Sequence, residues 1–257
     1  MFDLIENLKP GARVLDLGAR TGSFSTTRSD LTIVRLDLEI PPERKSGAYV
    51  SGDAARMPFA SGSFDAIISN HSLEHFVELD RTVCEIGRVI RRDGVLYVAV
   101  PDASTLTDRI YRWLGKGGGH VNPFRSPEEV AELIQKRTQL PLRSTTLLFS
   151  SLSFLNARNF VSRPPRRIAL FAFGNEYYLA LFLHLLRCID SALGTRLSVY
   201  GWCFYFGNIE RPEQGDAWPN VCVRCGAGSP EAYLRATGAV HGGMYRCPAC
   251  GGFNLLA

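Results

Sequence analysis

The run Val14-Leu15-Asp16-Leu17-Gly18-Ala19-Arg20-Thr21-Gly22-Ser23-Phe24 constrains this chain most. Val14 to Leu17 read as a short buried strand, the glycines at 18 and 22 as a tight turn, and Ser23-Phe24 as the approach to a helix. Strand, glycine turn and helix N-terminus in that order build a pocket for a nucleotide-like ligand, with backbone N–H groups facing it. Gly18 lets the backbone approach the ligand, and Gly22 packs close to the strand it follows. Alone, such a turn is equally an ordinary strand-to-helix connection, so its meaning depends on the downstream residues.

Downstream, strands and helices alternate. A very short N-terminal helix ends at the turn Pro10-Gly11, and strands are expected at Val14–Leu17, Leu31–Leu36, 48–51, Phe64–Ser69 and Val95–Val100. A brief helix fits between the first two, around Ser23–Arg28. Phe64-Asp65-Ala66-Ile67-Ile68-Ser69 is apolar on both faces, as a central parallel strand should be. The segment Glu78–Arg91 places Leu79, Val83, Ile86 and Ile90 near helical spacing, and Arg92-Asp93-Gly94 turns it into the next strand. Repetition of this kind predicts an α/β fold: a Rossmann-like, doubly wound, mostly parallel sheet with helices on both faces.

At 257 residues the chain has room for one large domain and an appendage. Its 46% hydrophobic and 21% charged content is ordinary for a soluble protein. A net charge of +4 is spread along the chain, so it permits an anionic ligand or nucleic acid without selecting either. Seven cysteines, four of them in two CxxC pairs, suit metal binding in a reducing compartment better than disulfides. The start Met1-Phe2-Asp3-Leu4-Ile5-Glu6 lacks the basic, apolar pattern of a signal peptide, so a cytoplasmic location is expected.

Several stretches carry a family resemblance. Asp16-Leu-Gly-Ala-Arg-Thr-Gly22, Leu36-Asp37, Gly52-Asp53-Ala54-Ala55-Arg56-Met57-Pro58-Phe59 with Ser63-Phe64-Asp65, Asn70-His71-Ser72-Leu73-Glu74-His75, and Arg88 to Gly94 stand in order. Together they resemble the motifs of Class I S-adenosylmethionine-dependent methyltransferases, closest to the type 11 methyltransferase domain. The resemblance covers roughly residues 10–140, with a last strand near 197–207. It implies that Asp16, Gly18, Ala19, Arg20 and Gly22 hold the amino-acid end of S-adenosylmethionine. Asp37 and Leu38 would lie against the ribose: Asp37 falls 21 residues after Asp16, just past the second strand, where an acid accepts from ribose hydroxyls. Asp53 and Ala54 would line the adenine slot, and Asn70 and His71 would close the pocket. Simpler roles for two of them are a solvated loop acid for Asp37 and a helix N-cap for Asp53.

Arg20 departs from the usual family pattern of glycine there; a positive φ at arginine would cost about 1 kcal/mol and puts a loss of cofactor binding in play. Variants with a larger residue resemble functional members, so Arg20 is read as tolerated. No Asn-Pro-Pro-Tyr or Asp-Pro-Pro-Tyr comes after the fourth strand, which disfavours methylation of a base amine. The methyl sulfonium is already electrophilic, so alignment supplies much of the catalysis. A base is needed only where the acceptor must lose a proton. His120, after the run Gly117-Gly118-Gly119 and before the helix expected at Ser126–Lys136, is the candidate base; its simpler role is to cap that helix. His75 is the second candidate.

The remainder divides at composition changes. Residues 1–207 are expected to form the main domain, with a strand-like Leu142–Phe149, a hydrophobic helical insertion at about 151–196 and a last strand at Val199–Phe206. Inside the insertion, Ile168–Leu186 is long and apolar, but Asn175, Glu176, His184 and Gly174 argue for a buried or lid helix over a membrane span. The basic cluster Arg163-Pro-Pro-Arg-Arg167 leaves a peripheral membrane contact through 163–189 as the alternative. With only about ten residues before the first strand, no cap domain is expected there, and substrate recognition is expected to come from 102–125 and this insertion.

Residues 208–220 read as a linker to a small module at 221–257. There Cys222-Val-Arg-Cys225-Gly226 and Cys247-Pro-Ala-Cys250-Gly251 form two pairs, with 21 residues between Cys225 and Cys247. Two such knuckles place Cys222, Cys225, Cys247 and Cys250 tetrahedrally about one Zn²⁺, as in a zinc ribbon, and metal supplies stability that so small a core cannot. Cys84, Cys188 and Cys203 are expected to be plain core residues.

The sequence therefore predicts a methyltransferase that uses S-adenosylmethionine on an oxygen or nitrogen of a small or carrier-bound metabolite. One alternative is an RNA methyltransferase gripping nucleic acid through the ribbon, disfavoured by having only Arg224, Arg235 and Arg246 there. The other is a non-catalytic subunit that docks a protein partner through the ribbon.

Overall fold

A computed structural model describes residues 1–114, 119–159, 175–209 and 220–257. The first elements are helix α1 (Phe2–Glu6) and strands β1 (Arg13–Leu17), β2 (Thr32–Asp37), β3 (Ala48–Ser51) and β4 (Phe64–Asn70). They are followed by α2 (Leu79–Val89), β5 (Ile90–Pro101), α3 (Leu106–Leu114), α4 (Pro127–Thr138) and β6 (Leu142–Phe149). The chain continues through α5 (Glu176–Leu193) and β7 (Val199–Gly207). The last segment holds β8 (Asn220–Val221), β9 (Gly228–Ser229), α6 (Glu231–Ala236), β10 (Val240–His241), β11 (Met244–Arg246) and β12 (Phe253–Leu255).

The main sheet has seven strands in the order β3-β2-β1-β4-β5-β7-β6. The pairs β3–β2, β2–β1, β1–β4 and β4–β5 are parallel. Its central strands are buried on both faces: Val14, Leu15, Leu17, Ala66, Ile67, Ile68, Leu96 and Val98 have no exposed surface, as a sheet covered on both sides requires. Sequence order reverses beside β1, so the carboxyl ends of β1 and β4 flank a crevice, the place where open α/β sheets bind ligands.

The expected helix after β1 is absent, because residues 21–30 are irregular. The Thr26 hydroxyl there hydrogen-bonds the local backbone instead of supporting a helix. The Arg28 N–H donates to the Thr26 hydroxyl at 3.0 Å, while the Arg28 guanidinium donates to Asp30 and to the Glu6 carbonyl. The turn expected at Arg92-Gly94 is a register shift inside one long strand, with Phe64 paired to Ile90 and Ala66 to Val95. Arg91, Arg92 and Asp93 stand exposed on that bulge.

Helix α2 buries Thr82, Val83, Ile86 and Val89. Gly87 lets α4 come close, since a Cβ there would stand 2.7 Å from the Arg137 carbonyl oxygen. Ser126 caps α4 by accepting from the Glu129 N–H at 3.1 Å, Pro127 starts it and Gln139 ends it in a left-handed conformation.

The chain forms two compact units. The first comprises 1–102, 119–146 and 202–214; the second comprises 103–118, 147–201 and 215–257. This division differs from the expected boundaries, because the insertion and the cysteine-bearing segment fall in one unit. Within it Leu179, Ala180, Leu183 and Leu186 of α5 are buried with Leu152, Leu155 and Val223, and Leu106, Ile110, Phe253 and Leu255 pack against them. The other side of α5 is exposed at Tyr178, Leu181, Leu185 and Leu193, so this helix is half-buried. No described helix is long and apolar enough to cross a membrane. The basic cluster at 163–167 and most of the expected linker lie outside the described residues. Cys203 is buried as expected, but Cys84 and Cys188 are exposed, each on a helix face turned away from its core.

Candidate functional site

At the end of β1 the turn is shaped by its neighbours. Gly18 has φ +68°, and a Cβ there would stand 2.5 Å from the Ser72 Cβ, so only glycine fits. Arg20 adopts φ +46°, the strained conformation that the sequence raised. Asp37 supports it: one carboxylate oxygen accepts from the Arg20 N–H at 2.7 Å, and the other accepts from the Leu38 N–H at 2.8 Å. Asp37 thus sits at the carboxyl end of β2, tied to the glycine turn and only half-buried.

Asp16 is fully buried and ion-paired with Arg35, which is also fully buried. One Asp16 oxygen also accepts from the Ser23 N–H at 2.9 Å, while Oδ1 has no hydrogen-bond partner among the described residues. The Arg35 guanidinium donates to the Phe24 and Ser46 carbonyls and lies 4.8 Å from the centre of the Phe24 ring. A Cβ at Gly22 would come within 3.0 Å of it. The sequence-based assignment missed Arg35, although a charged residue inside Leu-Thr-Ile-Val-Arg-Leu, an otherwise apolar strand, was a visible signal. From the other side, the Tyr49 hydroxyl and the Lys45 N–H both donate to the Thr21 carbonyl, clasping the turn.

Asp53 caps a 3₁₀ turn, Ala54–Arg56, by accepting from the Ala55 N–H, and its second oxygen pairs with Arg56 at 2.9 Å. Asn70 ends β4, and His71 comes next with φ +54° and its N–H bonded to the Ala99 carbonyl. Burial, with His120 and His75 nearby, pulls the His71 pKa down to about 4. His71 Nδ1 is 3.9 Å from a Glu74 carboxylate oxygen. Partial desolvation of its ring, with His120 and Arg20 nearby, also lowers the His75 pKa.

His120 does not cap α4, since Ser126 does. Instead its ring packs edge-on against His75, with centroids 4.9 Å apart. His75 Nδ1 is 2.9 Å from the Gly119 carbonyl. The Val121 and Asn122 N–H groups both donate to the Glu74 carbonyl, and the Asn122 amide donates to the Leu73 and Phe76 carbonyls. The stretch around 120 is therefore fastened over the turn that leaves β4. A surface depression lined by Asp80, Glu129 and Arg137 lies against α2 and α4 and shares none of these residues.

In the second unit the four expected cysteines come together, their sulfurs all within 4.8 Å of one another. Cys222 and Cys250 sulfurs are 3.6 Å apart, and those of Cys225 and Cys247 are 3.7 Å apart. Four thiolates about 2.3 Å from one Zn²⁺ stand about 3.8 Å apart, so the geometry fits a tetrahedral ion. The Cys222 sulfur also accepts from the Arg224 N–H and the Asn254 amide, bonds that stabilise a thiolate. Gly226 and Gly251, after each second cysteine, have φ +76° and +70°, and their N–H groups bond back to Cys222 and Cys247.

The sequence profile of the methyltransferase domain family matches residues 15–98. The chain is 32% identical over 184 residues to the malonyl-[acyl-carrier protein] O-methyltransferase of Methylococcus capsulatus, covering 62% of this chain and 67% of that one. It is 39% identical over 99 residues to the demethylmenaquinone methyltransferase of Beutenbergia cavernae, covering 35% and 41%. The fold is similar to that of Haemonchus contortus phosphoethanolamine N-methyltransferase 2 in complex with S-adenosyl-L-methionine. That likeness has TM-score 0.50 and 17% identity over 81% of this chain and 51% of the other. The curated relatives thus extend beyond the region they share with this chain, by about a third in one case and more than half in the other.

Proposed function

This chain belongs to the S-adenosylmethionine-dependent methyltransferases, and from that premise we propose that it methylates an oxygen or nitrogen of a small or carrier-bound metabolite. The observation that carries the reading is the crevice at β1, β2 and β4. There an unsatisfied buried acceptor, Asp16 Oδ1, a turn that only glycine can make at 18 and an exposed edge of Asp37 occur together. A buried acceptor without a partner is costly, and the ammonium at the amino-acid end of S-adenosylmethionine would satisfy it. Ala19, Arg20 and Gly22 would shape the same end of the pocket, and Asp37 and Leu38 the ribose end. Asp53 and Ala54 would line the adenine, and Asn70 and His71 would close the pocket.

Bound cofactor would supply an electrophilic methyl group; the protein's part is to hold it and the acceptor in line. His120, fastened beside His75, would assist loss of the acceptor's proton. The acceptor class is supported by the relatives, one named for a carrier-bound malonyl group and one for demethylmenaquinone. The cysteine cluster would hold one structural Zn²⁺.

The RNA reading loses support from the described residues. Of the three ribbon arginines, Arg224 is committed to Glu176 at 2.6 Å and Arg235 to Glu231 at 2.6 Å. That leaves no basic stripe for phosphates. A panel of hydroxyl, carboxyl and amine acceptors, free and carrier-bound, assayed for adenosylhomocysteine, tests the reading. His120→Ala should lower turnover on the responding acceptor about 10²-fold with cofactor affinity nearly unchanged. Adenosylhomocysteine formed only on RNA would reject the acceptor class.

A further inference from the structure

Within the sheet-bearing unit a second group of metal-type ligands stands apart from the cysteines. One carboxylate oxygen of Glu74 and one ring nitrogen each of His75 and His120 lie within 4.8 Å of one another. We propose that Glu74, His75 and His120 bind a divalent transition-metal ion, in a site of two imidazoles and one carboxylate.

Three features support it. The first is ligand chemistry. Two imidazoles and a carboxylate suit Zn²⁺, Co²⁺, Fe²⁺ or Mn²⁺ and leave coordination positions open, unlike a closed tetrathiolate. The second is orientation. A carbonyl oxygen only accepts, so the contact between His75 Nδ1 and the Gly119 carbonyl puts the ring proton on Nδ1. Nε2 is then left with its lone pair, which is how metal-bound histidines are ordinarily fixed. The third is preorganisation. Glu74 is 1% exposed, and burying a carboxylate is favoured when it coordinates an ion. The backbone bonds from Val121 and Asn122 to the Glu74 carbonyl hold His120 opposite His75.

Ligands about 2.1 Å from one ion stand about 3–4 Å apart. The three atoms must therefore draw in by up to roughly 1–2 Å, which rotation of the half-exposed His120 ring and small shifts of the other two side chains can supply. The same exposure gives the ion a way in.

Ligation uses the lone pair that a free base would need. In the ion-bound protein His120 would thus act through the ion, whose open position would take an acceptor oxygen and ease loss of its proton to water. That consequence rests on the methyltransferase reading; ion binding does not.

The test is Co²⁺ titration of the full-length protein with its cysteine site already filled by Zn²⁺, followed by visible absorption and bound-metal analysis. We expect one Co²⁺ per chain with weak d–d bands and no sulfur-to-cobalt charge transfer. His75→Ala and His120→Ala should each weaken it at least tenfold. Both sit at the surface, so folding is preserved, and circular dichroism checks it. If zinc-filled wild type takes up no Co²⁺, or takes it up as tightly after both histidine substitutions, the site does not exist. Either result stands whether or not any acceptor is methylated.

Discussion

In the sheet-bearing unit, Val14, Ile67 and Val98 lie on three neighbouring strands with no exposed surface, and the glycine turn is built on that rigid floor. In the cysteine-bearing unit, strands β8 to β12 are two or three residues long, and the apolar packing comes from one face of α5. The first unit has enough buried hydrocarbon to fix its own geometry. The second borrows a helix and, in our reading, an ion. Their dependence on metal should therefore differ sharply.

The strongest way to break that contrast is to remove a ligand. A structural Zn²⁺ contributes about 10–16 kcal/mol to small thiolate modules. Cys247→Ser, or a chelator, should expose residues 220–257 to protease and loosen α5, yet leave S-adenosylmethionine affinity intact. Lower pH should act the same way, since protons compete with zinc for the thiolates. Zinc near zero in purified protein, or equal protease protection after chelation, would erase the contrast.

A smaller effect tests the first unit on its own terms. Arg35→Met strands buried Asp16 without its ion-pair partner, at a cost of about 3–5 kcal/mol. The urea midpoint of the sheet-bearing unit should fall, and protection of 220–257 should not change. Unchanged stability would mean that the pair beneath the glycine turn contributes nothing.

The smallest effect is one of pH. The Arg88 guanidinium beside Glu85 holds that carboxyl below its ordinary range. A carboxyl lowered in the folded state adds stability that is fully present above the unfolded value, about 4.3, and is lost as pH falls through the folded one. Stability measured down through that window should fall more steeply for wild type than for Glu85→Gln. Parallel acid limbs would show the pair to be neutral.

The sequence was most legible where hydrophobic periodicity is strong. Every strand of the main sheet was expected, and all but β5 within one residue of its ends, because runs such as Phe64 to Ser69 can only be buried; β5 starts at Ile90, where a helix end and a turn were expected. The cysteine cluster was legible too, since two CxxC turns, each with a glycine after it, allow few other arrangements. In the segment 23–28, expected as a helix, the Thr26 hydroxyl takes the Arg28 N–H in a local turn instead. The packing of Val223, Phe253 and Leu255 with α5 left no trace in spacing, since it joins segments about 40 to 75 residues apart through undirected apolar contact. The meeting of Glu74, His75 and His120 was hidden for a similar reason. It depends on backbone bonds from Val121 and Asn122, which any residues other than proline could make.

Cofactor binding in the crevice is tested most directly by calorimetric titration of folded wild-type protein with S-adenosylmethionine. Asp37 would meet the ribose hydroxyls with charged hydrogen bonds. We predict micromolar binding that Asp37→Ala weakens by about 1–3 kcal/mol, or roughly five- to 150-fold. Absence of binding by well-folded wild type, or equal affinity in the variant, would contradict the crevice at β1, β2 and β4 as the cofactor site.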